Sequence, residues 1–381
     1  MMERYFQKCL AAFMAVCMLL CTNAYAEDNN VALNIKAKSA VLMEASTGTV
    51  LYSENKDERL PLASVTKIMT MLLIMEAIDN GKIALTDMVS VSERAMSMGG
   101  STMFLETGEQ LSVDDMLKGI AVASANDGCV AMAEHIAGTE QEFVNMMNTR
   151  AKELGMENTN FVNTNGLDAD GHYSSAYDIA LMSRELLKHP AIFNYTTIWM
   201  DSLRDGKTQL SNTNKLIRFY RGANGLKTGS TSKALCCLSG AALRDGMQLI
   251  AVVMGAPTSA DRFSDARALL DYGFASYAVS EILTAGEEAG TINVLKSETE
   301  QIPVITADKF TLLSKKGEKG EIEKELVLEQ SLTAPVQKGQ NVGKIIIKQN
   351  GNVIGEVSLL ADSDAAKIKY SSMLKKIFAS W

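Results

Sequence analysis

Histidine is scarce in this chain of 381 residues. The three histidines, His135, His172 and His189, are scattered and form neither an HExxH nor an HxH spacing, so a histidine-rich zinc site has few ligands available. We therefore expect chemistry that uses no metal and no other cofactor.

Basic residues are fewer than acidic ones. The chain has 37 Lys and Arg residues and 45 Asp and Glu residues, which gives a net charge of −8. A phosphate backbone demands the opposite balance, so nucleic acid is not an expected partner. With only five prolines, no long polar tract and 47% hydrophobic residues, the composition excludes wholesale disorder. The length predicts two or three domains.

Long apolar runs are missing as well. The run Cys9–Cys21 has 13 residues, fewer than the roughly 18 to 20 that span a bilayer. Arg4 and Lys8 precede it and Ala24-Tyr25-Ala26 follows, which is the layout of a signal peptide over residues 1–26. We expect secretion across the cytoplasmic membrane; an uncleaved anchor helix is the alternative.

Cysteine offers no disulfide framework. Three of the six cysteines lie in the predicted signal peptide, which leaves Cys129, Cys236 and Cys237, an odd number with no CxxC spacing. Buried free thiols are the expected state of all three.

Residues 27–280 mix helical and strand patterns and predict an α+β domain. The pattern predicts two strands in 39–54, a helix buried on all sides over 65–78, helices over 113–123 and 127–137, a loop-rich stretch over 158–175 and a meander of strands over 225–256. Asp245-Gly246 is a hairpin signal within that meander.

Residues 281–361 change to short β runs and predict a small all-β domain. The runs are 302–306, 325–329, 342–348 and 353–359, with Asn350-Gly351 as a further hairpin signal. Because Pro303 cannot donate to a ladder, the first run is expected at a sheet edge.

The tail, residues 362–381, predicts an amphipathic helix. At 100° per residue one stripe of roughly 140° carries its apolar side chains, and three lysines lie opposite. No acid follows Asp364, so we expect this helix to lie on an anionic membrane surface, with docking on its own protein as the alternative. The stripe consists of Tyr370, Met373, Leu374, Ile377, Phe378 and Trp381, and the lysines are Lys369, Lys375 and Lys376.

Of four Ser-x-x-Lys pairs, only Ser64 and Lys67 stand at the start of a long apolar helix. Lys67 follows one turn after Ser64, on the same face. Burial and the positive end of the helix dipole both lower the pKa of such a lysine, which makes it a base near neutral pH. A serine hydroxyl becomes a useful nucleophile only beside such a base. The alternative is a helix cap and a surface lysine.

Two further motifs follow in order. Ser124-Ala125-Asn126 lies between two predicted helices, and Lys227-Thr228-Gly229 lies on a predicted strand. The ordered set S-x-x-K, S-x-N and K-T-G is typical of β-lactamases and penicillin-binding proteins.

From about residue 35 to 280 the chain resembles the serine-type D-alanyl-D-alanine carboxypeptidases, the low-molecular-mass penicillin-binding proteins. The resemblance extends to the stretches 61–70, 124–133, 160–167 and 255–258. It implies a β-lactamase/DD-peptidase-like domain, with an antiparallel sheet flanked by helices, followed by the all-β domain and the C-terminal helix.

The resemblance also implies a mechanism. Ser64 attacks the carbonyl between two terminal D-alanines of a peptidoglycan stem pentapeptide and forms an acyl-enzyme, Lys67 takes its proton, and Ser124 relays a proton to the leaving amine. β-Lactam antibiotics acylate the same serine. The protein would then be anchored peripherally on the outer face of the membrane.

Substrate-binding roles are implied for residues on either side of the cleft. Asn126 would bind the substrate amide, and Lys227 would set the local potential. Gly229 would let the peptide pair with the strand, the backbone of Ser230 would complete an oxyanion hole with Ser64, and Thr228 and Arg262 would hold the carboxylate. For Arg262 the alternative is a surface ion pair with Asp261 or Asp265.

Three alternative functions stay open. A β-lactamase shares the motifs, although no Glu-x-x-Leu-Asn occurs between Ser124 and Lys227. A DD-endopeptidase uses the same acyl-serine chemistry. A non-catalytic sensor of β-lactams or muropeptides would bind without turnover. Near the site, His172 is expected to position water or to serve the structure, and Cys129 to pack in the core.

Overall fold

The computed structural model describes residues 33–318 and 320–379, with side chains up to residue 374 in the last helix. The predicted signal peptide therefore lies outside the described residues. Residues Ile35–Trp381 form one contact unit, to which both domains belong.

Strands and helices alternate in blocks along the first domain, residues 27–280 of the sequence prediction. Its strands are β1 (Ser39–Glu44), β2 (Val50–Glu54), β3 (Met88–Ser90), β4 (Gln110–Ser112), β5 (Met200–Leu203), β6 (Thr208–Ser211), β7 (Ala223–Thr231), β8 (Leu235–Arg244) and β9 (Met247–Ala256). Its helices are α1 (Lys67–Asp79), α2 (Glu93–Met96), α3 (Val113–Val122), α4 (Asn126–Ala137), α5 (Glu140–Glu153), α6 (Ala176–Leu186), α7 (Phe193–Thr196), α8 (Leu216–Phe219) and α9 (Ser259–Ser276).

One antiparallel sheet of five strands, in the order β2-β1-β9-β8-β7, forms the middle layer. Strand side chains alternate between its faces. Val41 and Met43 join the main core beneath α6, whereas Leu42 and Leu249 lie against Gly273 of α9 on the other face. The α+β fold with a sheet flanked by helices is confirmed.

The predicted central helix is present with a modified first turn. Residues Ala63–Thr66 form a 3₁₀ turn, and α1 follows from Lys67. Ten of its 13 residues are buried, as expected for a helix that is apolar on all sides. Ser64 therefore lies in the tight turn just before the α-helix.

Both hairpin signals are confirmed by the backbone. Asp245 and Gly246 have φ values of 49° and 77°, and Asn350 and Gly351 have φ values of 51° and 79°. Two successive positive φ values are typical of type I′ turns, which suit the twist of antiparallel strands.

The second domain is all-β, as predicted. Its strands are β10 (Tyr277–Leu283), β11 (Glu288–Leu295), β12 (Gln301–Thr306), β13 (Phe310–Lys315), β14 (Ile322–Leu328), β15 (Leu332–Thr333), β16 (Asn341–Gln349) and β17 (Asn352–Ala361). Six of them form a sheet in the order β14-β16-β17-β12-β11-β15, and β10 pairs with β13. Strand β10 crosses residue 280, where the sequence places the domain boundary, and the domain limits remain predictions.

The prediction that the Pro303 strand lies at a sheet edge is wrong, because β12 lies between β17 and β11. Pro303 pairs with Thr291 of β11, and its carbonyl accepts the N–H of Asp362 at 3.0 Å. The nitrogen and carbonyl of a strand residue face the same side, so the proline nitrogen faces the point where β17 has already ended at Ala361. The proline therefore costs the β12–β17 ladder only the bond that would face Asp362, one residue beyond the end of β17.

The C-terminal helix, α10 (Tyr370–Ala379), is shorter than the predicted span 362–381. Ala365 forms a β-bridge with Val336, and Lys367 forms one with Ser297, so this stretch is extended and attached to the second domain. Residues 380 and 381 lie outside the described part. None of the helices within 33–318 and 320–379 combines the length and the hydropathy that crossing a membrane requires.

Candidate active site

Lys67 and Ser64 are brought together at the start of α1. Lys67 is completely buried, and its ammonium donates to Ser64 Oγ at 2.9 Å, to Asn126 Oδ1 at 2.6 Å and to the carbonyl of Asn165 at 2.6 Å. Burial lowers the pKa of Lys67 from 10.5 to about 8. The alternative of a surface lysine is therefore wrong, and the amine is able to accept the Ser64 proton near neutral pH.

Two glycines confine the backbone of Ser64. A Cβ on Gly229 of β7 would lie 2.9 Å from Ser64 N. A Cβ on Gly166 would lie 2.8 Å from the same nitrogen and 1.8 Å from the carbonyl oxygen of Ala63. Strand β7 and the loop around Gly166 thus contact the Ser64 turn closely, and only residues without a side chain fit there.

Ser124 and Asn126 form the turn between α3 and α4. Ser124 is buried with φ of 63°, an uncommon conformation for a residue other than glycine and one that is often found at functional sites. Asn126 accepts from Lys67 and donates to the carbonyl of Gly99 at 2.7 Å. Its amide therefore positions Lys67 in this structure, in addition to the substrate contact that the sequence predicts.

Strand β7 carries the remaining motif. Lys227 is buried, and its ammonium donates to the carbonyl of Thr228 at 3.0 Å. Burial and the positive charge of Lys67 hold the pKa of Lys227 well below its ordinary value. The Thr228 hydroxyl donates to Thr213 Oγ1 at 2.6 Å, and Ser230 is exposed at the end of the strand.

Arg262 reaches β7 from α9. Its guanidinium is buried and donates through Nη1 to the carbonyls of Gly229 at 2.9 Å and Cys237 at 3.3 Å, and Nε has no partner among the described residues. The predicted alternative is wrong, because Asp261 pairs with Lys36 at 2.7 Å and Asp265 accepts backbone N–H groups.

The site is electropositive. Within the described part of the chain, no carboxylate lies within ion-pair distance of Lys67, Lys227 or Arg262. The nearby buried carboxylate of Asp127 instead accepts the backbone N–H of Leu105 at 3.1 Å. Three desolvated basic groups without a counterion favour an anionic ligand, such as a peptide carboxylate.

His172 serves the structure of the turn. Its Nδ1 accepts the N–H of Val162 at 3.0 Å, so Nε2 carries the proton that it donates to Thr66 Oγ1 at 2.8 Å. Thr66 in turn donates to the carbonyl of Ala63 at 2.8 Å. Because both ring nitrogens are occupied, His172 positions the Ser64 turn and has no nitrogen left for a water.

We predict that His172 makes the stability of the protein sensitive to acid. Burial lowers its pKa from 6.5 to about 4. Between these values the unfolded chain binds more protons, so the free energy of unfolding is greatest above pH 6.5 and falls as the pH approaches 4, by up to about 1.4 kcal/mol per pH unit. Urea denaturation at several pH values in this range should show that the free energy of unfolding changes less with pH in His172→Gln than in the wild type. An equal pH dependence in the two proteins would contradict the prediction.

The thiols follow the prediction in two of three cases. Cys129 and Cys237 are buried, whereas Cys236 is half-buried and lies 3.9 Å from Ser230 Oγ. Burial raises the pKa of Cys129 to about 12, so this thiol is an inert packing residue beside Lys67.

Several site residues escaped the motif analysis. Asn165 offers a backbone carbonyl, and Gly166 lies in the same loop; their only sequence signal is the stretch that resembles the family. Thr213 and Gly99 act through a hydroxyl and a carbonyl in irregular segments, and no pattern in the sequence points to them. Within the described residues, no group of three or more His, Cys, Asp and Glu side chains could hold a metal ion.

Comparison with known proteins finds matches over both domains of the chain. The family profile described as "D-alanyl-D-alanine carboxypeptidase" matches residues 24–258, and the profile "Penicillin-binding protein 5, C-terminal domain" matches residues 277–367. The D-alanyl-D-alanine carboxypeptidase DacF of Bacillus subtilis is 47% identical over 350 residues, which cover 91% of this chain and 90% of the relative.

Solved structures give the same result. Penicillin binding protein 5 from Haemophilus influenzae is 33% identical with a TM-score of 0.73, and the match covers 88% of this chain and 99% of that one. Penicillin-binding protein D2 from Listeria monocytogenes, solved in an ampicillin-bound form, is 32% identical with a TM-score of 0.59 over 64% of this chain and 99% of that one. This chain therefore belongs to the D-alanyl-D-alanine carboxypeptidase family.

Proposed function

We propose that the chain removes the terminal D-alanine from peptidoglycan stem pentapeptides, with Ser64 as the nucleophile and Lys67 as its base. The observation that carries this proposal is the hydrogen bond of 2.9 Å from a completely buried lysine, whose pKa is lowered to about 8, to the hydroxyl of Ser64. General-base assistance of this kind contributes roughly 10² to 10⁴-fold to a reaction rate.

In the acylation step, Ser64 Oγ forms a bond to the carbonyl carbon of the penultimate D-alanine while its proton passes to Lys67 Nζ. The amide C–N bond then breaks, and the proton taken up by Lys67 passes through the Ser124 hydroxyl to the amine of the departing D-alanine, which leaves Lys67 neutral again. Water hydrolyses the resulting ester and restores the serine. No oxidant, metal or further reactant enters this balance.

Substrate binding is assigned to the strand and the cations around it. The stem peptide pairs with the edge of β7 at Gly229, and the backbone N–H groups of Ser64 and Ser230 bind the developing oxyanion, a contribution of roughly 3 to 4 kcal/mol per donor. Thr228 and Arg262 hold the terminal carboxylate, since Arg262 is a buried cation with an unused N–H. Lys227 raises the local positive potential.

The test uses a chain covering residues 27–381, a fluorescent penicillin, a peptide that ends in D-Ala-D-Ala and a cross-linked muropeptide dimer. We expect a covalent label that peptide mapping places on Ser64, together with release of D-alanine. Rapid penicillin turnover without peptide cleavage would identify a β-lactamase. Cleavage of cross-linked dimers without release of D-alanine from the linear peptide would identify an endopeptidase. A stable label with no turnover would identify a sensor, and no label at all would contradict the nucleophile assignment.

We also propose that the protein acts outside the cytoplasm, attached to the outer face of the membrane by α10. The sequence of residues 1–26 supports secretion, and the exposed Tyr370 and Met373 on the first turns of α10 support attachment. Charge supports the same location, because the lysines of the tail suit an anionic surface.

Truncation tests this attachment. Because Ala365 and Lys367 are paired with the second domain, the chain should end after Lys369 so that the domain keeps its bridges. We expect this variant to leave the membrane fraction while its release of D-alanine from a soluble peptide is unchanged. Persistent membrane association would contradict anchoring by α10.

A further inference from the structure

The start of α10 is attached to a turn of the all-β domain, residues 295–300, between β11 and β12. Ile368 N–H donates to the carbonyl of Lys296 at 2.9 Å, and Lys369 N–H donates to Glu298 Oε1 at 2.7 Å. The backbone of Glu298 and the hydroxyl of Ser297 both donate to the carbonyl of Ala366, at 3.2 Å and 3.0 Å. The first turn of the helix therefore has a defined position on the domain.

An apolar groove of about 590 Å³ lies at this junction. Val294 and Leu295 line it from the strand, and Ile368 and Met373 line it from the tail. Leu295 is 53% exposed, Met373 49% and Leu374 38%. A large aliphatic side chain at the end of a strand thus continues the apolar surface of the helix.

The charge around this groove is opposite to that of the whole chain. Lys296 and Lys367 line the groove, and Lys369 precedes the helix. Two acids are close: Glu298, whose carboxylate accepts the Lys369 N–H, and Glu300, which also lines the groove. In a protein with a net charge of −8, an apolar patch flanked by lysines is the arrangement that binds anionic lipid surfaces.

We propose that the 295–300 turn and α10 form one composite surface for an anionic lipid bilayer. Leu295 enters the interface beside Met373 and Leu374, and Lys296 and Lys367 contact the lipid headgroups. A second copy of the chain would bring the same lysines face to face, which disfavours self-association here. The inference rests on the proposed membrane attachment and extends it, because the all-β domain itself then touches the membrane.

Binding to vesicles tests the composite surface. Residues 27–381 are mixed with phosphatidylcholine vesicles that contain or lack phosphatidylglycerol and are sedimented. We expect Leu295→Asp to lower binding to the anionic vesicles about tenfold and Lys296→Glu about fivefold or more. The matched controls, Val353→Asp and Lys309→Glu, replace exposed residues elsewhere in the same domain and should bind as the wild type does.

Three outcomes would overturn the inference in different ways. If Leu295→Asp and Lys296→Glu bind normally while truncation after Lys369 abolishes binding, the helix anchors alone and only the composite surface is wrong. If the truncated chain still binds, the proposed attachment by α10 fails as well. Loss of a dimer in analytical ultracentrifugation of Leu295→Asp, without vesicle binding by the wild type, would assign the surface to a second copy.

A fluorescence measurement separates a true loss of membrane contact from misfolding of the variant. In a background that carries Trp199→Phe and Trp381→Phe, Leu295→Trp keeps an apolar side chain and places the single tryptophan of the chain at the groove. Lipids brominated near the headgroup should quench this tryptophan and leave Val353→Trp unaffected. Absence of quenching at position 295, in a variant that still sediments with the vesicles, would refute contact of the turn with the membrane. Release of D-alanine from a soluble peptide should be unchanged in every variant.

Discussion

Replacing Lys67 with alanine is expected to lower the rate of Ser64 acylation by about 10³-fold or more. The substitution removes the group that is hydrogen-bonded to Ser64 Oγ at 2.9 Å and that is able to accept its proton. Stopped-flow measurement with a fluorescent penicillin gives the second-order rate constant directly. Thermal unfolding in parallel separates loss of the base from loss of the fold.

Lys67→Arg distinguishes proton transfer from charge alone. Arginine keeps the positive charge, but its pKa above 12 prevents it from acting as a base. We expect this variant to be nearly as slow as Lys67→Ala. The acylation rate of the wild type should rise with pH as Lys67 loses its proton, with an inflection near its pKa of about 8, and level off above. A fast arginine variant, or a wild-type rate independent of pH, would contradict the assignment of Lys67 as the base.

Replacing Gly166 with alanine is expected to lower the acylation rate by roughly 100-fold, although Gly166 contributes no side chain. The new Cβ would lie 1.8 Å from the Ala63 carbonyl oxygen, so the backbone around Ser64 must shift. A displacement of about 1 Å in a catalytic group costs on the order of 10²-fold. The left-handed φ of +91° adds about 1 to 2 kcal/mol of backbone strain to the variant.

Gly171→Ala is the matched control for this effect. Gly171 lies in the same loop-rich stretch with φ of +81°, but the nearest atoms to its Cβ would be 3.8 Å away, on Asn160 and Val162. Gly171→Ala should therefore lose thermal stability through backbone strain alone and keep nearly normal acylation. Equal acylation rates in the two variants would show that contact with the Ser64 turn is unimportant.

Part of the candidate site could be predicted because the motifs consist of a few residue types in a fixed order. Ser64 and Lys67 are neighbours on one helical turn, so local spacing alone places them together. Ser124 and Lys227 lie far away in the sequence, and only the order of the motifs connects them to Ser64. Burial of Lys67 also follows from the apolar surroundings of its helix.

Other parts of the site could not be predicted, for physical reasons. Asn165 contributes its backbone carbonyl, a group that every residue has, and Thr213 contributes a hydroxyl, which many residues have. No residue type therefore marks these two positions in the sequence. The partners of Arg262 depend on how α9 packs on the sheet. The sequence alone offered its neighbours Asp261 and Asp265 as ion-pair partners, and neither of them binds Arg262 in the structure. For Pro303, the deciding fact is the length of the adjacent strand.

The unpaired cations of the site have a consequence for the protons that accompany binding. Burial depresses the pKa values of Lys67 and Lys227, and the charge of Lys67 lowers the pKa of Lys227 further. A ligand carboxylate placed among them supplies the missing negative charge and stabilises their protonated forms. Ligand binding near neutral pH is then coupled to proton uptake from solvent. Part of the measured heat of binding is therefore the ionisation heat of the buffer that supplies these protons.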